Sequence, residues 1–379
     1  MRKAKEILSA LPGAPRLLSA VNGTGSIGAE KQATLIRILA SVLLAGALYM
    51  AASVATASLH SPISGLQNHG LHFAAFPLRG GGNTMTAQQA ARLIDWPQGI
   101  AGTGLKIGMI DGGINLDHRA LVGQDIHARD FRTDKSLPVP MNHGTAVAAV
   151  MVGREQSREF KGLLPNATLF AANIFSKDSR GRVSADPMAF LAAIDWMIEM
   201  DVSVINVSLT GQDDPIINRA IRRALNHGVL IVAAAGNNRG VYGRDYPAAY
   251  DGVLAATAVD SDLNIYRYAS LGEHIDFAAP GVSVKMAANR GSQILSGTSF
   301  AAPFLTAAVA VALNDNSAAD ADAIRDQFSA DAKDLGRRGI DTVFGHGLID
   351  AHDLDTGTVV ARRDRERADP AGPRPIEWN

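Results

Sequence analysis

Three polar side chains stand out because each one borders an apolar segment of the chain. Asp111 ends the apolar run Ile107–Ile110, His143 opens a run of small residues, and Ser299 precedes the long segment Phe300–Leu313. A carboxylate, an imidazole and a hydroxyl can perform nucleophilic catalysis together, because the imidazole takes the hydroxyl proton and the carboxylate orients the imidazole. These residue types are the ones that acyl transfer through a serine would require.

Each of these residues also has an ordinary structural explanation when it is taken alone. Asp111 could cap a turn, His143 could lie on the surface, and Ser299 could be a helix N-cap. A serine at the start of a helix also has a backbone N–H and the positive end of the helix dipole beside its oxygen, which suits a forming oxyanion. The three signals are weak singly and strong together, because each has its own flanking context.

The three residues are far apart in the chain, so a fold must bring them together. Apolar runs that predict strands occur at Leu105–Ile110, Ala167–Ile174, Val202–Val207, Val229–Ala235 and Val253–Val259. Helical patterns occur at Thr86–Ile94, Pro187–Met200 and Ile216–Asn226. Near-continuous apolar strands that alternate with helices predict an α/β fold, a mainly parallel twisted sheet with helices on both faces. Catalytic groups in such sheets lie at the carboxyl ends of strands, where Asp111 is expected.

Longer motifs around these residues resemble the active-site motifs of the subtilisin-like serine proteases. The three motifs are Asp111-Gly112-Gly113, His143-Gly144-Thr145 and Gly297-Thr298-Ser299-Phe300-Ala301-Ala302-Pro303. Further similar segments are Gly162–Ala167, Val204–Leu209, Ala234–Asn237, Phe277–Gly281 and Gly345–Ile349. The order Asp, His, Ser is that of the subtilisins and differs from the chymotrypsin and α/β-hydrolase orders. The resemblance covers roughly Asp95 to Ala351.

The resemblance implies peptide-bond hydrolysis through an acyl-enzyme. Ser299 would attack the carbonyl carbon, His143 would act as base and then as acid, and Asp111 would orient the imidazole. Asn237 would donate its side-chain amide to the oxyanion together with the Ser299 backbone N–H. An extended substrate would pair with an edge formed by Ser208, Leu209, Thr210 and Gly211 and would contact the loop residues Ala235 and Gly236.

Three positions depart from the family pattern or leave its specificity open. Gly112 stands where the family usually has serine or threonine, and Thr210 stands where it usually has glycine. Asp245 is near the position that lines the floor of the pocket for the P1 side chain. A carboxylate there would favour Arg or Lys at P1. The shortened loop favours the alternative, in which Asp245 lies in solvent and pairs with Arg244 or Arg239.

The composition limits cofactors and partners. The chain has 379 residues, no cysteine and a net charge of −1. It therefore has no disulfide, no thiolate metal site and no bulk field that attracts nucleic acid. The chemistry requires no cofactor. A structural calcium ion would be in keeping with the family, but no calcium loop matches residue by residue. Four other histidines do not cluster at metal-ligand spacing, and we expect them on the surface: His118, His127, His227 and His274.

The pattern along the chain predicts five regions. They are a basic N-terminal segment 1–37, a hydrophobic segment 38–59, a linker or reduced propeptide 60–85, a catalytic domain 86–355 and a disordered charged tail 356–379. The hydrophobic segment follows positive charges, so it would export the remainder as a signal peptide or hold it as a signal anchor. Both alternatives place the catalytic domain outside the cytoplasm.

These observations predict a serine endopeptidase that acts on polypeptides. Two alternatives stay open, a catalytically silent relative that binds peptides and a membrane-anchored processing protease with one specific substrate. A peptide cyclase on the same scaffold would carry the same residues. An esterase of the α/β-hydrolase type is disfavoured, because its serine precedes its histidine in the chain.

Overall fold

The computed structural model describes residues 72–73, 83–154, 160–238 and 241–354. The predicted segments 1–37, 38–59 and 356–379 lie outside these residues, as does most of the predicted linker 60–85. Within the described part of the chain, no helix combines the length and the apolar character needed to cross a membrane.

A sheet of seven parallel strands forms the centre of the fold. Its strands, in chain order, are β3 (Lys106–Asp111), β4 (Ile126–Asp130), β5 (Thr168–Asn173), β8 (Val204–Val207), β10 (Leu230–Ala234), β11 (Val253–Val259) and β12 (Phe277–Pro280). Their order across the sheet is β12-β11-β10-β8-β3-β5-β4. The inner strands are buried along nearly their whole length, which is why their sequences are continuous apolar runs. The predicted fold class is confirmed.

Helices cover both faces of this sheet. The helices are α1 (Ala87–Leu93), α2 (Asn142–Val152), α3 (Pro187–Glu199), α4 (Pro215–Asn226), α5 (Thr298–Asp315) and α6 (Ala321–Asp331). The apolar residues of α2 and α5 pack into one core cluster and those of α3 and α4 into another, on the opposite side. Both α3 and α4 begin at a proline that follows a capping aspartate, Asp186 or Asp214. Proline suits the first helical position because the N–H that it lacks would have no helical partner.

Short strands surround the central sheet. They are β1 (His72–Phe73), β2 (Met85–Thr86), β6 (Phe175–Lys177), β7 (Val183–Ala185), β9 (Leu209–Thr210), β13 (Val284–Ala287) and β14 (Ser292–Leu295). Strands β6 and β7 form a hairpin, and β14, β13 and β2 form a three-stranded sheet. Strand β1 pairs antiparallel with β9, which directly follows β8.

The strand order fixes where a site can form. Strand β3 comes first in the chain, and β5 and β4 lie on one side of it. The later strands β8, β10, β11 and β12 lie in this order on its other side. Ligands of open α/β sheets bind at the carboxyl edge where the direction of building reverses. That reversal lies between β3 and β8, so the residues that follow β3, β8 and β10 are brought together.

Candidate active site

Asp111 and His143 form a buried pair at the end of β3. The His143 Nδ1 atom lies 2.7 Å from Asp111 Oδ1 and 2.9 Å from Oδ2. Asp111 is fully buried and His143 is 9% exposed. A neutral imidazole that donates from Nδ1 carries its lone pair on Nε2, so this contact prepares Nε2 to accept a proton.

The backbone of Gly112 contacts the Asp111 carboxylate. The Gly112 N–H donates to Asp111 Oδ1 over 2.6 Å. The first turn of α2 needs a glycine at position 144, because a side chain there would collide with the Gly112 and Gly113 carbonyls. The first turn of α2 therefore packs directly on the Asp111 turn, and this close approach sets the position of His143.

Ser299 lies in the first turn of α5, directly after Gly297 and Thr298. Gly297 has a φ of 155°, in the region that favours glycine, and its N–H donates to the Gly281 carbonyl. The ring of Phe300, the residue after Ser299, packs against His143 with 5.2 Å between ring centroids. The start of α5 is thereby placed beside the Asp111–His143 pair.

A reciprocal pair of hydrogen bonds joins Ser299 to Ser208. The Ser208 hydroxyl donates to the Ser299 carbonyl over 2.9 Å, and the Ser299 hydroxyl donates to the Ser208 carbonyl over 3.1 Å. Both serines are fully buried. We predicted Ser208 as a substrate contact, and the structure places its side chain against the Ser299 backbone.

Two further polar residues extend this network, and the sequence analysis missed both. The Asn206 amide donates to the Ser208 hydroxyl over 2.8 Å. The Thr306 hydroxyl lies 3.1 Å from Asn206 Oδ1 and 2.9 Å from the Ala302 carbonyl, so its one proton is shared between these two acceptors. Both side chains are fully buried. Each is a polar residue inside an apolar run, and that pattern alone indicates a buried hydrogen-bond partner.

Asn237 is held by Thr298, the residue that precedes Ser299. Its Oδ1 atom accepts from the Thr298 N–H at 3.3 Å and from the Thr298 hydroxyl at 3.2 Å. The Thr298 hydroxyl also accepts from the Gly236 N–H over 3.2 Å. Both contacts to Thr298 use the amide oxygen of Asn237, so the amide NH₂ points away from Thr298.

The predicted substrate edge is paired with the chain itself. His72 lies opposite Thr210, and Phe73 lies opposite Leu209, in the antiparallel β1–β9 pair. At the next residue, the Gly211 N–H donates to the Tyr246 carbonyl over 2.7 Å. The backbone of the predicted linker region therefore contacts the strand that we expected to bind substrate.

Asp245 does not lie in solvent, so the favoured expectation for this residue was wrong. It is 8% exposed, and Oδ1 accepts from the Asn238 amide over 2.6 Å. Its carboxylate also accepts from the Ser270 hydroxyl, and burial raises its pKa above the ordinary value of 3.8. The alternative partner Arg239 lies outside the described residues. The loop turns the carboxylate inward, towards the Gly236–Asn238 backbone.

The other histidines divide between surface and interior. His127 and His227 are exposed, as expected. His118 is buried and pairs with the Gly291 carbonyl over 2.8 Å, and His274 is half-buried, so the surface prediction was wrong for these two. Across the described residues, no cluster of three or more His, Asp or Glu side chains could hold a metal ion.

Comparison with known proteins identifies the family of this chain. The Subtilase family model matches residues 102–347. The chain belongs to the subtilases, the subtilisin-like serine proteases. The subtilisin DY of Bacillus licheniformis is 32% identical over 258 residues, which are 66% of this chain and 91% of that protein.

Two other relatives are longer than the matched region. The minor extracellular protease Epr of Bacillus subtilis strain 168 is 30% identical over 256 residues, 67% of this subtilase but only 39% of Epr. The crystal structure of fervidolysin from Fervidobacterium pennivorans, a keratinolytic enzyme related to subtilisin, aligns with a TM-score of 0.62 and 24% identity. That alignment covers 76% of this subtilase and 51% of fervidolysin, and it supports the fold.

Proposed function

We propose that this subtilase is a serine endopeptidase that acts outside the cytoplasm and cleaves polypeptides through an acyl-enzyme. The observation that supports this most directly is the buried Asp111–His143 pair beside the helix whose first turn contains Ser299. The names of the relatives, a subtilisin and an extracellular protease, support the same activity and location.

Acylation begins when the Ser299 hydroxyl turns from the Ser208 carbonyl to His143 Nε2. His143 takes the hydroxyl proton as Ser299 Oγ bonds to the peptide carbonyl carbon, and Asp111 stabilises the imidazolium that forms. The same imidazole then gives its proton to the leaving amine as the C–N bond breaks. Water repeats the sequence on the ester, releasing the acid and restoring Ser299. These steps use side chains and backbone groups of the chain and need no cofactor.

The oxyanion of the tetrahedral intermediate is stabilised by two donors. They are the Asn237 amide NH₂ and the Ser299 backbone N–H, which is one of the unpaired donors in the first turn of α5. Thr298 fixes the amide oxygen of Asn237, so the donor is oriented before substrate binds. Charge develops on the substrate oxygen only in the intermediate, so donors fixed in this way favour the transition state over the bound substrate.

The test is labelling of the purified full chain, in detergent, with a fluorophosphonate probe. We expect labelling of the wild type, none with Ser299→Ala and a large loss with His143→Ala. Mass spectrometry of a denatured protein incubated with the same samples should show internal cleavage only with the wild type. Folded wild-type protein that neither labels nor cleaves would overturn the proposal and favour a peptide-binding relative. Products joined to an amine in place of hydrolysed products would indicate a transferase.

A further inference from the structure

Asp245 is a buried carboxylate that the proposed chemistry does not use. Within the described part of the chain, its partners are the Asn238 amide, the Ser270 hydroxyl and the neighbouring His274 imidazole. A carboxylate buried among neutral donors is costly, because burial penalises its charged form. Its position therefore calls for an explanation other than stability.

The partners of Asp245 all hold the short loop that carries Asn237. The Asn238 N–H donates to the Ser270 hydroxyl over 3.0 Å, and the Ser270 N–H donates to the Gly236 carbonyl over 2.9 Å. His274 Nε2 lies 3.1 Å from the Ala235 carbonyl. The Asp245 carboxylate joins this set because it accepts from Asn238 and Ser270 at the same time.

Asp245 also packs directly against the loop backbone. Gly236 has a φ of 112°, and a Cβ atom there would collide with the Asp245 carboxylate and the Ser270 hydroxyl. The loop is thus held on one side by Thr298 and on the other by Asp245 and Ser270. Asn237 lies between the two sets of contacts.

We propose that Asp245 is a positioning residue, which acts by fixing Gly236 and Asn238 so that the Asn237 amide points at the oxyanion. This role rests on the proposed function, since it needs an oxyanion to form. The two carboxylate oxygens accept both donated hydrogen bonds, whereas an amide at this position that keeps one of them turns its NH₂ towards the other donor. A change at Asp245 should therefore lower the rate of acylation without weakening substrate binding.

The competing role is selection of Arg or Lys at P1, and the two roles predict different kinetics. A selector raises the affinity for one P1 side chain, whereas a positioning residue affects every substrate that forms an oxyanion. The contacts favour positioning, because both carboxylate oxygens are directed at the loop and its supporting serine.

The experiment measures kcat and KM of the full chain with two peptide amides that differ only in Arg or Leu at P1. The variants are Asp245→Asn, Ser270→Ala, Asn237→Ala and the double variant Asp245→Asn/Asn237→Ala, with Asp262→Asn as a matched exposed carboxylate. We expect Asp245→Asn and Ser270→Ala each to lower kcat roughly tenfold for both substrates with KM nearly unchanged. Asp262→Asn should match the wild type.

The double variant decides whether Asp245 acts through Asn237. If it does, Asp245→Asn has no further effect once Asn237 is alanine, because the donor to be positioned is gone. An equal loss in both backgrounds would overturn the proposal, and so would a loss confined to the Arg substrate. If Asp245→Asn does not fold, Ser270→Ala tests the same set of contacts. If the wild type shows no turnover that Ser299→Ala abolishes, the proposed function itself is refuted. That result is obtained before any Asp245 variant is measured.

Discussion

Two buried carboxylates near the site differ in what surrounds them. Asp111 accepts from the His143 ring and from the Gly112 N–H, which suits the role proposed for it, stabilisation of the imidazolium during acylation. Asp245 accepts from an amide and a hydroxyl, and burial raises its pKa. The surroundings of Asp111 thus make use of its charge, whereas those of Asp245 make use of the two hydrogen bonds that it accepts.

The raised pKa of Asp245 makes a prediction about stability and pH. Because the folded state binds the proton more tightly than the unfolded state, the contribution of Asp245 is fully present below the ordinary pKa of 3.8 and falls as the pH rises through the folded pKa. Asp245→Asn carries no such titration. The free energy of unfolding of this variant, minus that of the parent, should therefore rise with pH in this window and then level off.

Urea unfolding across this pH range would measure the difference, with both proteins in a Ser299→Ala background to prevent self-digestion. Asp262→Asn, an exposed carboxylate, controls for the loss of one negative charge. A difference that falls as the pH rises would show that the carboxylate is stabilised in the folded protein and that the assigned direction is wrong.

The buried network behind Ser299 gives a second prediction at this scale. Thr306→Val keeps the shape of the side chain but removes the donor to Asn206, whereas Thr306→Ser keeps the donor and removes a methyl group. Each change should cost about 1 kcal/mol of stability. Only Thr306→Val should also slow labelling of Ser299, roughly threefold or more. Only this variant removes a hydrogen bond from the network that connects Thr306 through Asn206 and Ser208 to Ser299. Equal labelling rates for both variants would show that the network serves stability alone.

Asp111, His143, Ser299 and Asn237 could be chosen from sequence because each occupies a recognisable motif. Asn206 and Thr306 could be recognised only as polar residues within apolar runs. Their partners, like those of Ser270, could not be predicted, because no motif relates the segments that contact each other. Asp245 shows the limit most clearly. The sequence places it near the site, but the direction of its carboxylate depends on how the loop packs against Gly236.

At the scale of elements, apolar runs predicted five of the seven strands of the central sheet but not β4 or β12. Strand β11 begins and ends at the predicted residues, and α1 begins after Thr86, whose side chain and that of Gln89 form a capping box. The sequence analysis did not identify α6 as an element, because its charged segment has few apolar residues. The pairing of β1 with β9 was also missed, since two residues carry no periodicity.

That pairing leads to a prediction about access to the site. Strand β1 uses backbone groups of β9 that an extended substrate was expected to use, so the two should compete. The double change His72→Pro/Phe73→Pro removes both backbone N–H donors of β1, and it should raise kcat/KM for a peptide substrate. His72→Ala/Phe73→Ala removes the same side chains but keeps the donors. An effect of equal size in both variants would assign it to the side chains and contradict competition through the backbone.

At the scale of the whole molecule, an ion pair between Asp276 and Arg325 holds α6 to the edge of the sheet. Asp276 is 9% exposed and accepts from Arg325 Nε over 2.6 Å and from the Ala255 N–H over 2.7 Å. Arg325 also donates to the Val253 carbonyl over 3.3 Å. This contact joins the last helix to β11 and to the residue that precedes β12.

Replacing one partner of this ion pair should destabilise the fold far more than replacing both partners. Arg325→Met leaves the Asp276 carboxylate buried without its cation, so we expect a loss of about 3 kcal/mol in the free energy of unfolding. The double variant Asp276→Asn/Arg325→Met buries no charge and should recover most of that loss. Arg222→Met, an exposed arginine on α4, should change stability by less than about 0.5 kcal/mol. Urea unfolding of all variants in the Ser299→Ala background measures these values. A double variant as unstable as Arg325→Met would show that packing of the Arg325 side chain, and not its charge, holds α6 in place.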